Sequence, residues 1–317
     1  MPDRAAHAAA PTAPTAATAA TGRADAPEPA EPRLRHVQCL DARGLHRMAY
    51  WEWGVPDSPR VVVCVHGLSR QGRDFDTLAR DLVAAGCRVV CPDVIGRGRS
   101  DWLADPAGYA IPQYVGDMVT LLARLDAGTV DWVGTSMGGL IGLGIASLQG
   151  TPVRRLVLND VGPTIEWAAL QRIGGYLGQP VHWRTLDEAA DALRAISLGF
   201  GPHTREQWLA LTRPQLVPDG DGFKPHYDPA IALPFRAITP ELAAAGEAML
   251  WQGYDRVACP TLLLRGADSD LLSRATAEAM ARRGPRARLV EFDGVGHAPT
   301  LVAPDQRQVV REFLLAP

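Results

Sequence analysis

From about residue 61 onward the chain alternates short apolar runs with amphipathic stretches, and this rhythm restricts its fold more than any other feature. RVVVCVHG, CRVVCPD, VDWVG, VRRLVLNDVG, CPTLLLRG and ARLVEFD are short, strongly apolar segments, as strands covered on both faces should be. Helical spacing separates them. Phe75, Leu78, Leu82 and Val83 share one helix face that Gly86 closes, and IPQYVGDMVTLLARL, MGGLIGLGIASLQG, RATAEAMARR and PDQRQVVREFLL read the same way. Strands alternating with helices predict an α/β fold: a mostly parallel, doubly wound sheet with helices on both faces. Ahead of it, LRHVQCLD and RMAYWEWG pattern as two early strands around a Gly-containing turn.

The rhythm breaks between residues 163 and 253. LDEAADALRAI and ITPELAAAGEAMLW look helical and LVPDGDGFKPHYDP looks like loop, while Trp167, Tyr176, Trp183, Phe200, Trp208, Tyr227 and Phe235 supply aromatic surface. A stretch of this length is too long for a connection, so it is expected to be a helical lid subdomain. The expected division is a tail at 1–32, an α/β core at 33–162 and 254–317, and a lid at 163–253. The tail is almost all Ala, Pro and Thr, which cannot bury enough surface to offset chain entropy, and it lacks the apolar run of a secretory signal.

Composition narrows the functions. With 47% hydrophobic residues in 317, the chain can bury a large core. A formal net charge of −3 and no Lys/Arg-rich block argue against nucleic acid as a partner. No window approaches the ~18 consecutive apolar residues that a membrane span needs. Cys39, Cys64, Cys87, Cys91 and Cys259 are too scattered for a disulfide framework, and Cys87 and Cys91 lack companions at zinc spacing. They read as free thiols, which suits a reducing, cytoplasmic compartment. No metal or cofactor site is evident, and nothing in the sequence fixes an oligomeric state.

The chemistry concentrates in GTSMGG, residues 134–139, between the strand VDWVG and the helix that follows. A serine hydroxyl is a poor nucleophile at neutral pH and needs an adjacent base. On a sharp strand-to-helix turn its oxygen would stand clear of the sheet, provided that positions two before and two after are small. Gly134 and Gly138 meet that condition. The backbone N–H of Met137, opening the helix, would then point where an oxyanion forms.

Companion segments make this more than a glycine-rich corner: VCVHG, PDVIGRGRSD, an acid after LLLRG, and GVGHAPTL near the end, each following its own strand. Together they resemble the α/β-hydrolase family, in which nucleophile, acid and histidine follow in that order. The resemblance runs from about Val61 to the C-terminus, apart from the lid. It implies a triad of Ser136, an acid and His297, with the backbone N–H groups of Leu68 and Met137 as oxyanion donors and no cofactor.

The acid is to be found in RGADSDLLS, where the resemblance points to Asp270, with Asp268 as the alternative. His66 is expected to shape its loop. Arg70 or Arg73, if near the mouth, could hold a substrate carboxylate bidentately, although a solvated helix N-terminal region is the preferred reading of both. A hydroxy-acid oligoester would suit such arginines, with no motif behind it.

The expected activity is hydrolysis of a small to medium carboxylic ester through an acyl-enzyme. Lactonase, thioesterase and carbon–carbon bond hydrolase use the same machinery, and a non-catalytic binding protein could keep the fold. Serine at the nucleophile position speaks against the dehalogenase and epoxide-hydrolase branches that the fold also resembles.

Overall fold

The computed structural model describes residues 31–317. The segment expected to be a tail lies, up to residue 30, outside the described residues. Among the described residues there are ten strands, eight of them in one sheet ordered β1-β2-β4-β3-β5-β6-β9-β10. The hairpin β1 (Arg33–Asp41) and β2 (Gly44–Trp53) forms one edge, and β2 runs antiparallel to β4 (Arg88–Pro92). From there every neighbour is parallel: β3 (Val61–Val65), β5 (Val130–Thr135), β6 (Val153–Asn159), β9 (Thr261–Gly266) and β10 (Arg288–Phe292).

The central strands are apolar for the expected reason. All five residues of β3 are buried, and so are all six of β9, because helices cover both faces. One layer contains α2 (Ile111–Leu125) and α3 (Met137–Ala146). The other is formed by α1 (Asp76–Ala84) and α10 (Pro304–Leu315), which touch each other. On α2 the buried face is Tyr114, Met118, Leu121 and Leu125, spaced three to four apart. Each such fully buried side chain stabilises the fold by about 1.5–3 kcal/mol relative to exposure. The short helix α9 (Arg274–Arg282) leads into β10.

Between β6 and β9 the chain leaves the main sheet. This insertion holds α4 (Trp167–Tyr176), α5 (Leu186–Ile196), α6 (Arg205–Thr212), α7 (Ala232–Arg236) and α8 (Pro240–Arg256). Local signals start three of them: Thr185 and Thr239 cap α5 and α8, and Thr204 with Gln207 forms a capping box on α6. LVPDGDGFKPHYDP departs from the loop reading. It contains a hairpin of β7 (Leu216–Asp219) and β8 (Gly222–Pro225), closed by a two-residue turn in which Gly220 takes a φ of 57°. Two residues, one of them Gly at positive φ, are what a tight hairpin turn requires.

Among the described residues no helix is long and apolar enough to cross a membrane.

Candidate active site

The turn between β5 and α3 carries Ser136 at φ 51° and ψ −117°, a conformation that costs a non-glycine residue energy and persists only where its surroundings impose it. A Cβ on Gly134 would collide with the Gly138 carbonyl, and one on Gly138 with that of Val65. Strand and helix approach too closely there for any side chain. The Trp132 indole on β5 donates to the Gly138 carbonyl (3.0 Å) and fastens the start of α3 to the strand.

His297 lies in the loop after β10, and its Nε2 is 3.0 Å from Ser136 Oγ. Its Nδ1 is 2.7 Å from Asp160 Oδ2. This overturns the expectation that Asp270 would orient the imidazole. Asp270 is half-exposed and held by Arg172 of α4, Nε to Oδ2 at 2.7 Å and Nη2 to Oδ1 at 2.9 Å. Asp268 is exposed as well.

Asp160, by contrast, has no solvent-exposed side-chain surface. It directly follows β6, and its N–H bonds the Leu264 carbonyl of β9. Its φ of 54° turns the carboxylate across the sheet's end, a left-handed conformation that aspartate tolerates better than most residues. The carboxylate accepts from Gly266 N (2.9 Å) at Oδ1 and from Ser269 Oγ (2.6 Å) at Oδ2. The acidic loop after β9 therefore contributes Ser269 to the site rather than its aspartates.

Sequence reasoning missed Asp160 although a signal existed. It ends the strand next to the one carrying Ser136, and the carboxyl ends of parallel strands are where sites in such sheets form. Asn159, also missed and fully buried, donates to Thr135 Oγ1 (2.9 Å) and to the Pro299 carbonyl (2.7 Å), joining the serine turn to the histidine loop.

The loop after β3 is held from behind. Val94 N–H donates to His66 Nε2 (3.0 Å), so the ring proton sits on Nδ1 and donates to the Gly67 carbonyl (2.7 Å). Burial pushes this imidazole down to about 3, which keeps it neutral. Across a trans peptide the Leu68 N–H points opposite to that inward-facing carbonyl. The Met137 N–H, first in α3, has no acceptor within the helix.

Behind both lies Arg97, fully buried. Its Nε donates to the Leu68 carbonyl (2.8 Å), Nη1 to the Ile95 carbonyl (2.7 Å) and Nη2 to Met137 Sδ (3.5 Å). Its guanidinium lies 4.9 Å from the Tyr114 ring centre, and no carboxylate pairs with it among the described residues.

Two cavities meet at Ser136. One, of about 480 Å³, is lined by Arg70, Arg172, Trp183, Phe200 and His297 among others. The other, of about 650 Å³, is walled by Met137, Leu140, Trp167, Phe235 and Leu250 and carries Glu166 and Glu247. Leu68, Ser136 and Ile173 border both. Either volume suits a small organic ligand. Of the two arginines considered for the mouth, Arg70 is there, clasped by Asp74 at 2.6 and 2.7 Å. Arg73 is not. It pairs with Asp76 and stacks 4.8 Å over Trp51.

Away from these cavities, Cys39, His46 and Asp117 place possible metal-ligating atoms within 4.8 Å of one another. Burial, with Asp117 adding to it, pushes the Cys39 thiol up to about 12, so the thiol stays protonated, and deprotonation would have to accompany any metal binding.

Ser136, His297 and Asp160 form a chain along which a proton can leave the hydroxyl while the imidazolium is balanced by a buried carboxylate. Known proteins with this architecture include hydrolases of several kinds. A sequence profile described as the alpha/beta hydrolase family matches residues 62–312. A 3-hydroxybutyrate-oligomer hydrolase of Cupriavidus necator is 56% identical over 90% of this chain and 98% of its own length. A haloalkane dehalogenase of Mycolicibacterium paratuberculosis is 31% identical over 75% of this chain and 77% of its own. An alpha/beta hydrolase structure from Novosphingobium aromaticivorans superposes with a TM-score of 0.78 at 34% identity, covering 90% of this chain and 99% of that one.

Proposed function

The chain belongs to the α/β hydrolase family, and from that premise we propose that Ser136, His297 and Asp160 are its catalytic triad and that its substrate is an oligoester of 3-hydroxybutyrate. The reaction is hydrolysis of a carboxylic ester. The observation that carries the reading is the hydrogen-bonded chain from Ser136 Oγ through both nitrogens of His297 to a fully buried carboxylate.

Ser136 Oγ attacks the ester carbonyl while its proton passes to His297 Nε2. Asp160 holds the proton on Nδ1 and stabilises the imidazolium, its own charge kept in place by Gly266 N and Ser269 Oγ. The tetrahedral oxyanion is received by the N–H groups of Leu68 and Met137, and the α3 dipole favours negative charge at the same point. The leaving alkoxide takes the proton from Nε2. A water molecule, deprotonated by the same nitrogen, then releases the acid from Ser136.

The insertion serves as a lid. Its Gly199 carbonyl accepts from Gly296 N–H at 2.7 Å and His203 Nε2 lies 2.8 Å from Thr300 Oγ1, so it braces the histidine loop as well as walling the cavities. The oligoester assignment rests on the 56% identity to the Cupriavidus hydrolase across nearly the whole of both chains. The five free cysteines, four of them buried, suit work in the cytoplasm.

A fluorophosphonate probe should label the wild type and fail to label Ser136→Ala, and linear 3-hydroxybutyrate oligomers should be cleaved in preference to lactones and thioesters. Equal labelling of both proteins would sink the triad. Cleavage of thioesters or lactones but not of the oligomers would move the substrate class.

A further inference from the structure

We propose that the 480 Å³ cavity is a carboxylate subsite for the leaving fragment, so that substrate binds in one direction, its free carboxylate end toward Arg70 and Arg172 and its hydroxyl end in the 650 Å³ cavity. The inference deepens the oligoester reading and rests on it.

A linear oligoester of a hydroxy acid has two unlike ends. Attack at an internal ester forms a bond from Ser136 Oγ to the acyl carbon and breaks the bond from that carbon to the leaving oxygen. The hydroxyl-ended piece stays on the serine. The carboxylate-ended piece departs as an alcohol, its oxygen keeping the electron pair of the broken bond and taking the proton from His297 Nε2. Water later supplies the hydroxyl that completes the released acid and returns the proton to Ser136. The leaving fragment must therefore lie on the side of Ser136 where His297 stands.

His297 borders the 480 Å³ cavity and not the other. The charges are divided to match. Arg70 and Arg172 line the cavity that contains His297, together with Asp74, whose charge Arg70 balances. Glu166 and Glu247 line the opposite one with no cation beside them in its lining, so a second carboxylate would be repelled there.

Both arginines are set for this use. Asp74 holds the Nε–Nη2 edge of Arg70, and Asp270 holds the same edge of Arg172. Arg70 Nη2 also donates to the Leu211 carbonyl (3.1 Å) and the Arg172 guanidinium also meets the Tyr176 side chain, so among the described residues Nη1 of Arg70 is the donor left without a protein acceptor. A guanidinium fixed along one edge keeps donors on the other for a second carboxylate. Arg70 is the better placed for the shortest substrate. Its side chain is 12% exposed and its backbone N–H bonds the Gly67 carbonyl (3.2 Å), next to the Leu68 donor. Arg172, 42% exposed on α4, stands farther out for longer leaving fragments. In the other cavity Glu247, fixed by the Thr164 hydroxyl at 2.6 Å, can accept from the terminal hydroxyl of the acyl piece.

The test compares one 3-hydroxybutyrate dimer as its free acid and as its terminal methyl ester, in the full-length protein, following cleavage of the internal ester by kcat/KM. The free acid should be favoured at least tenfold in the wild type. In Arg70→Gln and in Arg172→Gln the acid-to-ester ratio should fall, and in the double variant it should approach one. Because the ratio is taken within each protein, partial loss of folded enzyme cancels from it. Equal rates for acid and ester in the wild type would leave the oligoester reading standing and overturn the subsite. So would a ratio that all three variants retain. No cleavage of either dimer beside brisk cleavage of p-nitrophenyl butyrate would remove the oligoester reading and this inference with it.

Discussion

Two carboxylates flank Ser269 in space, one on the floor of the pocket and one at its mouth, and their surroundings are opposite. Asp160 has no exposed side-chain surface and receives Gly266 N, Ser269 Oγ and His297 Nδ1. Asp270 is 50% exposed and paired with one arginine that is itself 42% exposed. Water competes for every contact Asp270 makes and for none that Asp160 makes. An exposed pair of this kind contributes about 0–1 kcal/mol, whereas a buried carboxylate facing a developing imidazolium is screened very little. Burial and donors, not proximity in sequence to a recognisable loop, decide which aspartate can serve a histidine.

The sharpest way to break this contrast is to neutralise each carboxylate in turn. Asp160→Asn should lower kcat for p-nitrophenyl butyrate by about 10³–10⁴-fold, because the amide favours the wrong imidazole tautomer and carries no charge to balance the imidazolium. Asp270→Asn should cost about threefold or less on the same neutral ester, since it touches no reacting group. Steady-state kinetics with the two purified variants decides it. Comparable losses would mean that Asp270 serves His297 as much as Asp160 does, and the reverse ranking that Asp270 governs it.

Arg97 tests the floor from below. Among the described residues its buried charge has no carboxylate partner, and it fixes the Leu68 carbonyl from the side opposite the pocket. Arg97→Met keeps much of the packing against Tyr114 but releases that carbonyl. The Leu68 donor then loses its fixed direction, and losing one oriented oxyanion donor costs about 10²–10³-fold in kcat. Because Leu68 itself remains, the expected loss is nearer the lower figure, with Arg97→Lys in between. KM for a neutral ester should change far less than kcat. A loss confined to KM would mean that Arg97 shapes the cavity and not the oxyanion donors.

The floor was largely legible in the sequence and the walls were not. Ser136 and His297 stood out because each sits in a short segment whose neighbours must be small or must follow a strand. Asp160 escaped because its role depends on β6 lying between β5 and β9, a fact about strand order that NDVG does not carry locally. The RGADSDLLS segment does belong to the site, but through Ser269, whose hydroxyl any reading of charge alone passes over. The main-sheet strands and their helices follow the pattern of apolar runs closely, since continuous burial leaves a strong mark. The β7–β8 hairpin left a weak one. Its strands are four residues each and only partly buried, so no apolar alternation announced them.

The smallest expected effect concerns acid tolerance, and it separates two fully buried groups, His66 and Asp93. Burial holds His66 at about 3, below the ~6.5 of an unfolded histidine. The unfolded chain therefore binds the extra proton first. The stability that depends on neutral His66 is complete above pH 6.5 and is lost as pH falls toward 3, at a limiting slope of about 1.4 kcal/mol per pH unit. Asp93 has the opposite sign. Burial lifts it to about 6, so the folded protein takes up this proton before the unfolded chain does, and stability rises as pH falls from 6 toward 4. In the wild type the two slopes oppose each other between pH 4 and 6. His66→Asn removes one of them. The gap in unfolding free energy between wild type and His66→Asn, read from urea titrations, should narrow by about 1.4 kcal/mol for each pH unit from 6 to 4. A gap that does not change with pH would mean that His66 is protonated in the folded protein. Its Nε2 could not then accept from Val94, and the backing of the Leu68 donor would need a different account.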